Sequence, residues 1–400
     1  MTKLDQPRDT DASLLTGQDV ISLFWPHVNQ AMRDNVAQQL TTRWLGQGPG
    51  VDRFEERFSE QVLEGHASSI AVNSGTSALH LAYILAMEKY WPGLISKPSG
   101  NVICPVFTCT ATNIPWLYIG GLEIKWADID PRSMNISAQS VAELIDNETR
   151  AISVVHYGGY PVDIEPIRLL AQERGIPIIE DAAQALGGRY NGAPIGTVSP
   201  YTTFSFQAIK HITTGDGGLF TLTDPNEIAA AKRVRWFGID RAGKQNGTWE
   251  NDIWEIGYKY QMTDIAAALG HGGLDDLPNI LSTRFALLAR YEQQLSSNSR
   301  VRLLSLSQEE KDAGSVHAAW LATIIVESGR NDLRDALRAA GVESNPVHFR
   351  NDKYSVFGEK TVAHVPVMDA IDGRYLCLPL HTNMSLSDVD RVCEIVNGTW

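Results

Sequence analysis

Lys210 lies between two segments of contrasting character. The mostly apolar run YTTFSFQAI precedes it, and a turn that contains Gly215, Gly217 and Gly218 follows it. Most lysines are solvated surface charges, but this one stands in a largely uncharged stretch. A lysine held out of water has a lowered pKa and can act as an amine nucleophile toward an aldehyde. Lys210 is therefore the candidate nucleophile.

A second candidate is the carboxylate pair of Glu180 and Asp181, which follows the apolar run IPII. Carboxylates at the carboxyl ends of strands in α/β sheets often face a ligand crevice. In that position Asp181 could pair with the protonated ring nitrogen of a cofactor. The alternative is that Asp181 caps a helix, because small residues follow it.

A third candidate is the run Ser74, Gly75, Thr76 and Ser77, which stands between a predicted strand and a predicted helix. The first N–H groups of a helix lack intrahelical acceptors and, with the helix dipole, bind phosphate. Small hydroxyl residues add donors without blocking the approach. A simple helix cap is the alternative for this run.

The three segments together offer an amine, a carboxylate and a phosphate cradle. Pyridoxal 5′-phosphate requires this set, because its aldehyde needs an amine, its ring nitrogen an anion and its phosphate several donors. The combination predicts pyridoxal phosphate as the cofactor. His156, at the end of the apolar run AISVV, is either a further cofactor contact or a buried core histidine.

The elements that must position these residues follow from the hydrophobic pattern. From about residue 70, short runs rich in Val, Ile and Phe alternate with helix-like windows. This alternation predicts an α/β fold in which a mostly parallel sheet of seven strands lies between helices, followed by a smaller C-terminal α+β domain. We divide the chain into an N-terminal arm (1–45), a large cofactor-binding domain (46–275) and the smaller domain (276–400). The strand candidates are SSIAVNSG, NVICPVF, LEIKWADI, AISVVHY, IPIIEDA, YTTFSFQ and GLFTLTD.

Composition excludes several classes of function. The 34 Lys and Arg against 47 Asp and Glu give a net charge of −13, which argues against a nucleic-acid partner and an anionic membrane. The first residues lack the pattern of a signal peptide, and no apolar run has the length of a membrane span. The four cysteines form no CxxC pair, so we expect free thiols, no metal site and a cytoplasmic location.

Beyond these separate signals, seven stretches match a known family in their order and in their residues. They are GQGPGVDRFEERF (46–58), AVNSGTSALHLA (71–82), VICPVFTCTATNIP (102–115), VHYGGYPVDIEPI (155–167), IIEDAAQALGGRYNGAPIGT (178–197), FSFQAIKHITTGDGGL (204–219) and GYKYQMTDIAAALG (257–270). With them the chain resembles the DegT/DnrJ/EryC1/StrS family of sugar aminotransferases, which have fold type I of the pyridoxal phosphate enzymes, the fold of aspartate aminotransferase.

The resemblance implies roles for the residues around the cofactor. Lys210 corresponds to the lysine that binds the cofactor covalently and carries the catalytic proton. Asp181 corresponds to the partner of the ring nitrogen, and Gln184 to the contact of the ring hydroxyl. His348 falls where the family reaches toward the sugar.

The phosphate ligands implied by the resemblance are Gly75, Thr76 and Ser205, with Ser74 beside them. Lys259 lies in GYKYQMTD, a segment that the family donates across a dimer interface. The resemblance therefore implies a homodimer with a shared active site, in which Lys259 reaches a phosphate of the neighbouring subunit.

The chain departs from the family at the position of Cys109. Many members carry an aromatic residue there, which stacks on the cofactor ring, and this chain has a thiol in its place. Many members also have His at the position of Gln207, and often Asn and Arg at those of Lys259 and Gln261. A dehydratase branch replaces the lysine with His, whereas this chain keeps Lys210, which favours transamination.

The implied reaction transfers an amino group, with glutamate as donor, to a keto sugar linked to a nucleotide, of the 4-keto-6-deoxy or 3-keto type. The amino sugar would enter a surface polysaccharide, such as the O-antigen of lipopolysaccharide, or an antibiotic. An aminocyclitol or a keto sugar without a nucleotide is the alternative substrate, and a sensor that binds the cofactor without catalysis is a distant alternative. The region of His348 and Tyr354, with the polar loop 236–255, is expected to select the substrate.

Overall fold

A computed structural model describes residues 20–250, 252–358 and 363–400 of the chain. The helices of this part are α1 (Gln30–Gln39), α2 (Pro49–Gln61), α3 (Gly75–Tyr90), α4 (Thr110–Ile119), α5 (Ala138–Leu144), α6 (Ile164–Arg174), α7 (Ile228–Arg235), α8 (Arg241–Gln245), α9 (Asp264–Leu295), α10 (Gln308–Asp312), α11 (Arg330–Ala339), α12 (Pro366–Ile371) and α13 (Leu386–Asn397). None of them combines the length and the apolar content that crossing a bilayer demands.

The strands form one large sheet and several smaller ones. They are β1 (Ser68–Val72), β2 (Asn101–Pro105), β3 (Phe107–Thr108), β4 (Glu123–Ala127), β5 (Thr149–Val155), β6 (Ile178–Asp181), β7 (Arg189–Tyr190), β8 (Ala193–Pro194), β9 (Tyr201–Ser205), β10 (Gly218–Leu222), β11 (Val301–Leu303), β12 (Ala322–Val326), β13 (Phe349–Arg350) and β14 (Tyr375–Leu378).

The large sheet has seven strands in the order β1-β10-β9-β6-β5-β2-β4. Only β10 runs against the others in this sheet, because it pairs in antiparallel fashion with both β1 and β9. The prediction of a mostly parallel sheet of seven strands is therefore confirmed. Each strand candidate of the sequence overlaps one of these strands, and β5 begins two residues before its candidate, at Thr149. Strands covered on both faces are usually rich in apolar residues, and for this reason the hydrophobic pattern identifies them.

Helices cover both faces of this sheet, as the sequence predicts. Alternate side chains of one strand enter different cores, since successive residues point to opposite faces. In β10, Leu219 packs with residues of α2 and α9, whereas its neighbour Phe220 packs with residues of α3. The edge where β5, β6 and β9 end is left for the residues that follow these strands.

The C-terminal part has its own small antiparallel sheet in the order β11-β12-β14, and this confirms an α+β arrangement there. Helix α9 is 32 residues long and contains Pro278 in its interior. The predicted boundary between residues 275 and 276 lies inside this helix, so the two parts share α9 and no linker separates them. Of the predicted arm 1–45, residues 1–19 lie outside the described residues, and Ile21 pairs with Val342 of the C-terminal part.

Arg284 of α9 joins the two parts of the molecule. Its guanidinium is buried and donates hydrogen bonds to the carbonyl oxygens of Ala319, Trp320 and Leu380, at 3.2, 3.5 and 3.0 Å. Burial lowers the pKa of Arg284 to about 10, so the side chain keeps its charge at neutral pH. Arg284 thereby fixes the backbone that leads into β12.

Replacing Arg284 with Met should destabilise the fold, because it leaves buried carbonyl groups without donors. Each unpaired group costs on the order of 1–3 kcal/mol, so we expect a loss of about 3 kcal/mol in the free energy of unfolding. Arg290→Met on the same helix is the control. Its solvent-accessible pair with Asp390 should contribute little to stability. Urea and thermal unfolding of both variants measure the difference, and equal losses would contradict the role of Arg284.

Candidate active site

The candidate site lies at the edge where neighbouring parallel strands of the large sheet end. Asp181 is the last residue of β6 and Ser205 is the last residue of β9, and these two strands are hydrogen-bonded to each other. Lys210 follows β9 in a turn, where its backbone N–H donates to the carbonyl oxygen of Gln207 at 2.9 Å. The sheet thus brings the predicted carboxylate, one predicted phosphate ligand and the predicted nucleophile to one edge.

The carboxylate of Asp181 is buried and accepts hydrogen bonds from uncharged donors. Thr112 Oγ1 donates to Oδ2 at 2.7 Å, and the backbone N–H of Ala183 donates to Oδ1 at 2.9 Å. The residues after Asp181 form turns and not a helix, so the helix-cap alternative is wrong. In the described part of the chain no ion pair neutralises this carboxylate. It is therefore suited to pair with a protonated group of a ligand.

Lys210 lies against an aromatic ring that sequence reasoning missed. Its Nζ is 3.8 Å from the centroid of the Trp320 ring. The loss of water around the side chain lowers the pKa of Lys210 to about 8, although the charge of Asp181 opposes the shift. The fraction of unprotonated amine near neutral pH is thus far larger than for an exposed lysine, which favours its action as a nucleophile. Trp320 is more than 100 positions away in sequence, and no local spacing signals this contact.

The run predicted as a phosphate cradle lies at the start of α3, where Ser74 acts as the helix cap that the alternative expected, and phosphate binding there stays a prediction. Ser74 is the N-cap residue of this helix and accepts a hydrogen bond from the backbone N–H of Ser77 at 3.1 Å. The N–H groups of Gly75 and Thr76 in the first turn have no acceptor within the helix. A Cβ atom on Gly75 would lie 2.9 Å from Cβ of Ser205, so glycine permits this close approach. The two chain segments thus present their donors side by side.

Gly218 makes a second close approach at the same place. A Cβ atom there would lie 2.3 Å from the carbonyl oxygen of Ser74 and 2.6 Å from the backbone nitrogen of Gly75. Strand β10 therefore passes directly beside the start of α3. A glycine at the first position of β10 is therefore required for the strand to pass this close to the helix.

Gln184 and His348 form a linked pair beside the lysine. The side-chain oxygen of Gln184 accepts from the backbone N–H of Gly158 at 2.7 Å, so its amide group donates to Nε2 of His348 at 3.0 Å. This leaves the proton of the imidazole on Nδ1. Burial and the charge of Lys210 lower the pKa of His348 to about 3, so the imidazole is neutral.

His156 is directed away from this group. Its Nδ1 accepts from the backbone N–H of Val162 at 3.0 Å, and its Nε2 therefore donates to Glu180 at 2.8 Å. Glu180 and Asp181 are neighbours on one strand and point to opposite faces. The bond to Glu180 thus favours the core-histidine alternative over the predicted cofactor contact.

Cys109 and Tyr354 line the open side of the site. The pairing of β13 with β3 places Phe349 opposite Thr108, which brings His348 to the level of Cys109. Cys109 is a free, partly exposed thiol, and its charge contributes to the pKa values of both Lys210 and Tyr354. His348 is therefore next to the predicted nucleophile, and Tyr354 is next to Cys109.

Lys259 lies near the phosphate cradle, in a segment that pairs with the end of β1. The carbonyl oxygen of Tyr260 accepts from the backbone N–H of Asn73 at 2.8 Å. Lys259 Nζ lies 2.8 Å from the side-chain oxygen of Gln261 and 5.5 Å from the centroid of the Phe237 ring. Its predicted contact with the phosphate of a neighbouring subunit stays a prediction.

Comparisons with known proteins agree with this geometry. The DegT/DnrJ/EryC1/StrS aminotransferase family model matches residues 26–397. A GDP-perosamine synthase from Caulobacter vibrioides is 32% identical over 378 residues, which are 93% of this chain and 96% of that protein. The crystal structure of the sugar aminotransferase CalS13 from Micromonospora echinospora has a TM-score of 0.86 and 29% identity, covering 95% of this chain and 100% of the other.

A structural relative with bound cofactor is the PLP form of Spr1654 from Streptococcus pneumoniae. It has a TM-score of 0.84 and 26% identity, and the match covers 94% of this chain and 98% of that one. The residues of this chain fit pyridoxal phosphate, because the carboxylate of Asp181 forms no ion pair with the residues that the structure describes, the start of α3 has free donors and Lys210 has a lowered pKa. The chain belongs to the DegT/DnrJ/EryC1/StrS aminotransferase family and is a pyridoxal phosphate-dependent transaminase.

Proposed function

We propose that the protein converts a nucleotide-linked keto sugar into an amino sugar, with glutamate as the amino donor. The observation that carries this proposal is the position of Lys210, whose amine lies close enough to the carboxylate of Asp181 and to the imidazole of His348 to interact with both. The relative from Caulobacter vibrioides is named for a GDP-linked sugar, which supports a nucleotide on the substrate. An amino sugar of this kind would serve surface polysaccharide or antibiotic synthesis.

Each residue of the site has a proposed task. When bound, pyridoxal phosphate supplies a conjugated ring that withdraws electrons from the carbon that loses its proton. Lys210 binds the cofactor covalently, and its freed Nζ then takes up the proton from the α-carbon of the donor. Asp181 holds a proton on the ring nitrogen, and Gln184 contacts the ring hydroxyl.

The phosphate of the cofactor is assigned to the start of α3. The N–H groups of Gly75 and Thr76, with the hydroxyl groups of Ser74 and Ser205, provide donors at the positive end of the helix dipole. Lys259 adds a positive charge from the neighbouring subunit. Because these groups are held by the backbone, they orient the cofactor before the substrate arrives.

The sugar is assigned to the open side, where His348 and Tyr354 lie. His348 is neutral and can donate a hydrogen bond from Nδ1 to a hydroxyl group without attracting the phosphates of the nucleotide. The thiol of Cys109 replaces the aromatic ring of many family members and leaves more room beside the cofactor. An aminocyclitol or a free keto sugar is the alternative substrate.

A homodimer and a cytoplasmic location complete the proposal. Large apolar side chains of the loop 236–256 are exposed, among them Trp249 at 76%, Trp254 at 63% and Ile256 at 80%. Exposed apolar patches of this kind mark interaction surfaces, and here they suit a second copy of the chain. All four cysteines are free, which fits a reducing compartment.

Replacing Lys210 with Ala should abolish turnover and the visible absorption band of the bound cofactor, because it removes the amine that binds the cofactor covalently. Lys97→Ala, on an exposed part of the surface, is the control and should leave both unchanged. Spectra after reconstitution and steady-state rates measure the outcome. A normal band with normal turnover in the Lys210 variant would contradict the assignment.

The amine of Lys210 should become reactive near pH 8 in the cofactor-free protein. Loss of water favours the neutral amine, so the fraction available to an acylating reagent reaches half of its maximum at about pH 8. A free lysine derivative, with a pKa of about 10.4, is the reference. Mass spectrometry of the Lys210 peptide after brief acylation at a series of pH values gives the midpoint. A midpoint near that of the free amine would overturn this expectation.

Two half-reactions test the substrate class. Glutamate should convert the bound cofactor and remove its visible band, and a keto sugar should restore the band. We expect nucleotide-linked 4-keto-6-deoxy or 3-keto sugars to restore it faster than the same sugars without a nucleotide, because binding of the distant part supports the reacting carbon. Equal rates with and without the nucleotide would favour the alternative substrates.

A further inference from the structure

We propose that the face of the Trp320 indole ring binds the ammonium group of Lys210 whenever this lysine is not bonded to the cofactor. Trp320 is then a positioning residue for transamination. The inference rests on the proposed role of Lys210. Its basis is the distance of 3.8 Å between Nζ and the centroid of the ring. A cation over an indole face at this distance is attracted by the negative face of the ring.

The ring is tied to the chain segment that carries the lysine. Trp320 is 1% exposed, and its Nε1–H donates to the carbonyl oxygen of Ile209 at 3.0 Å. Ile209 directly precedes Lys210, so the ring and the base of the lysine side chain move together. The distance between the amine and the ring is thus set locally.

Two further rings stack on Trp320. The ring of Phe24 lies at a centroid distance of 5.5 Å with an interplanar angle of 29°, and the imidazole of His348 lies at 6.1 Å and 17°. Phe24 belongs to an N-terminal segment that pairs with the C-terminal part through Ile21 and Val342. The indole is therefore held by elements from distant parts of the chain.

The backbone around Trp320 is held just as firmly. Its N–H donates to the carbonyl oxygen of Gly158 at 3.1 Å, and the carbonyl oxygen of Ala319 accepts from Arg284. Ala319 has a φ of +54°, a conformation that costs energy for any residue but glycine. A strained residue directly before Trp320 indicates that the surrounding contacts fix the direction of the indole.

The charged and titratable groups around Lys210 explain why a ring is needed. The pKa of Lys210 is influenced by the charges of Asp181 and Cys109. The charge of Lys210 in turn lowers the pKa values of His348 and His211. Asp181 is assigned to the ring nitrogen of the cofactor, and His348 and His211 are neutral because burial lowers the pKa of each. In the loaded enzyme the face of Trp320 thus supplies an attraction for the ammonium that does not compete for Asp181.

The test compares Trp320→Phe with Trp320→Leu. Both changes remove the hydrogen bond to Ile209 and shorten the side chain, but only Phe keeps an aromatic face. In the cofactor-free full-length protein, we expect the midpoint of Lys210 acylation to lie about 0.5–1 pH unit lower in the Leu variant than in the Phe variant. Equal midpoints, or a higher midpoint with Leu, would overturn the proposal.

The loaded enzyme gives a second readout. We expect kcat of the Leu variant to fall about tenfold with KM for the sugar nearly unchanged, and the Phe variant to recover most of the loss, because a misplaced proton carrier slows only the chemical steps. Equal losses in both variants would contradict the positioning role. If the Leu variant does not fold, Trp320→Met gives the same comparison, since Met also lacks an aromatic face.

The acylation experiment does not depend on turnover. Failure of the proposed function would appear as activity in Lys210→Ala, whereas failure of the present inference would appear as equal midpoints in the two Trp320 variants. The two results are therefore distinguishable.

Discussion

The amine of Lys210 must be kept largely out of water and yet be able to gain and lose a proton, and the rest of the site depends on this constraint. Desolvation favours the neutral form, and the nearby carboxylate of Asp181 favours the charged form. The balance places the pKa of the lysine at about 8. Such an amine can serve both as a nucleophile and as a proton carrier near neutral pH.

The large sheet supplies the geometry that this balance needs. Because β6 and β9 are parallel neighbours, Asp181 and Ser205 end at the same edge. The close approaches of Gly75 and Gly218 bring the start of α3 to that edge as well. The chain has a net charge of −13. At this edge of the sheet, however, a lysine and several backbone N–H groups provide donors suited to a phosphorylated cofactor.

Much of the fold could be predicted from the sequence, because apolar runs identify buried strands directly. The same holds for Asp181 and for the start of α3, since both stand next to such runs. Contacts between segments that are distant in sequence could not be predicted. Examples are the contacts of Trp320 with Lys210 and Phe24, and those of Arg284 with the backbone before β12. The sequence also left open whether His156 contacts the cofactor or lies in the core. The face of the strand on which its side chain lies, and its hydrogen bond to Glu180, become visible only in the structure. Pro278 did not end α9, so the predicted domain boundary falls inside a helix.

The central claim is that Lys210 carries the cofactor, and covalent mapping tests it most directly. Borohydride reduction of the reconstituted enzyme fixes the cofactor to the amine that holds it, and proteolysis with mass spectrometry locates that amine. The account predicts that the added mass lies on the peptide that contains Lys210. Cofactor fixed to a different lysine, or a reduced protein without added mass, would contradict the account.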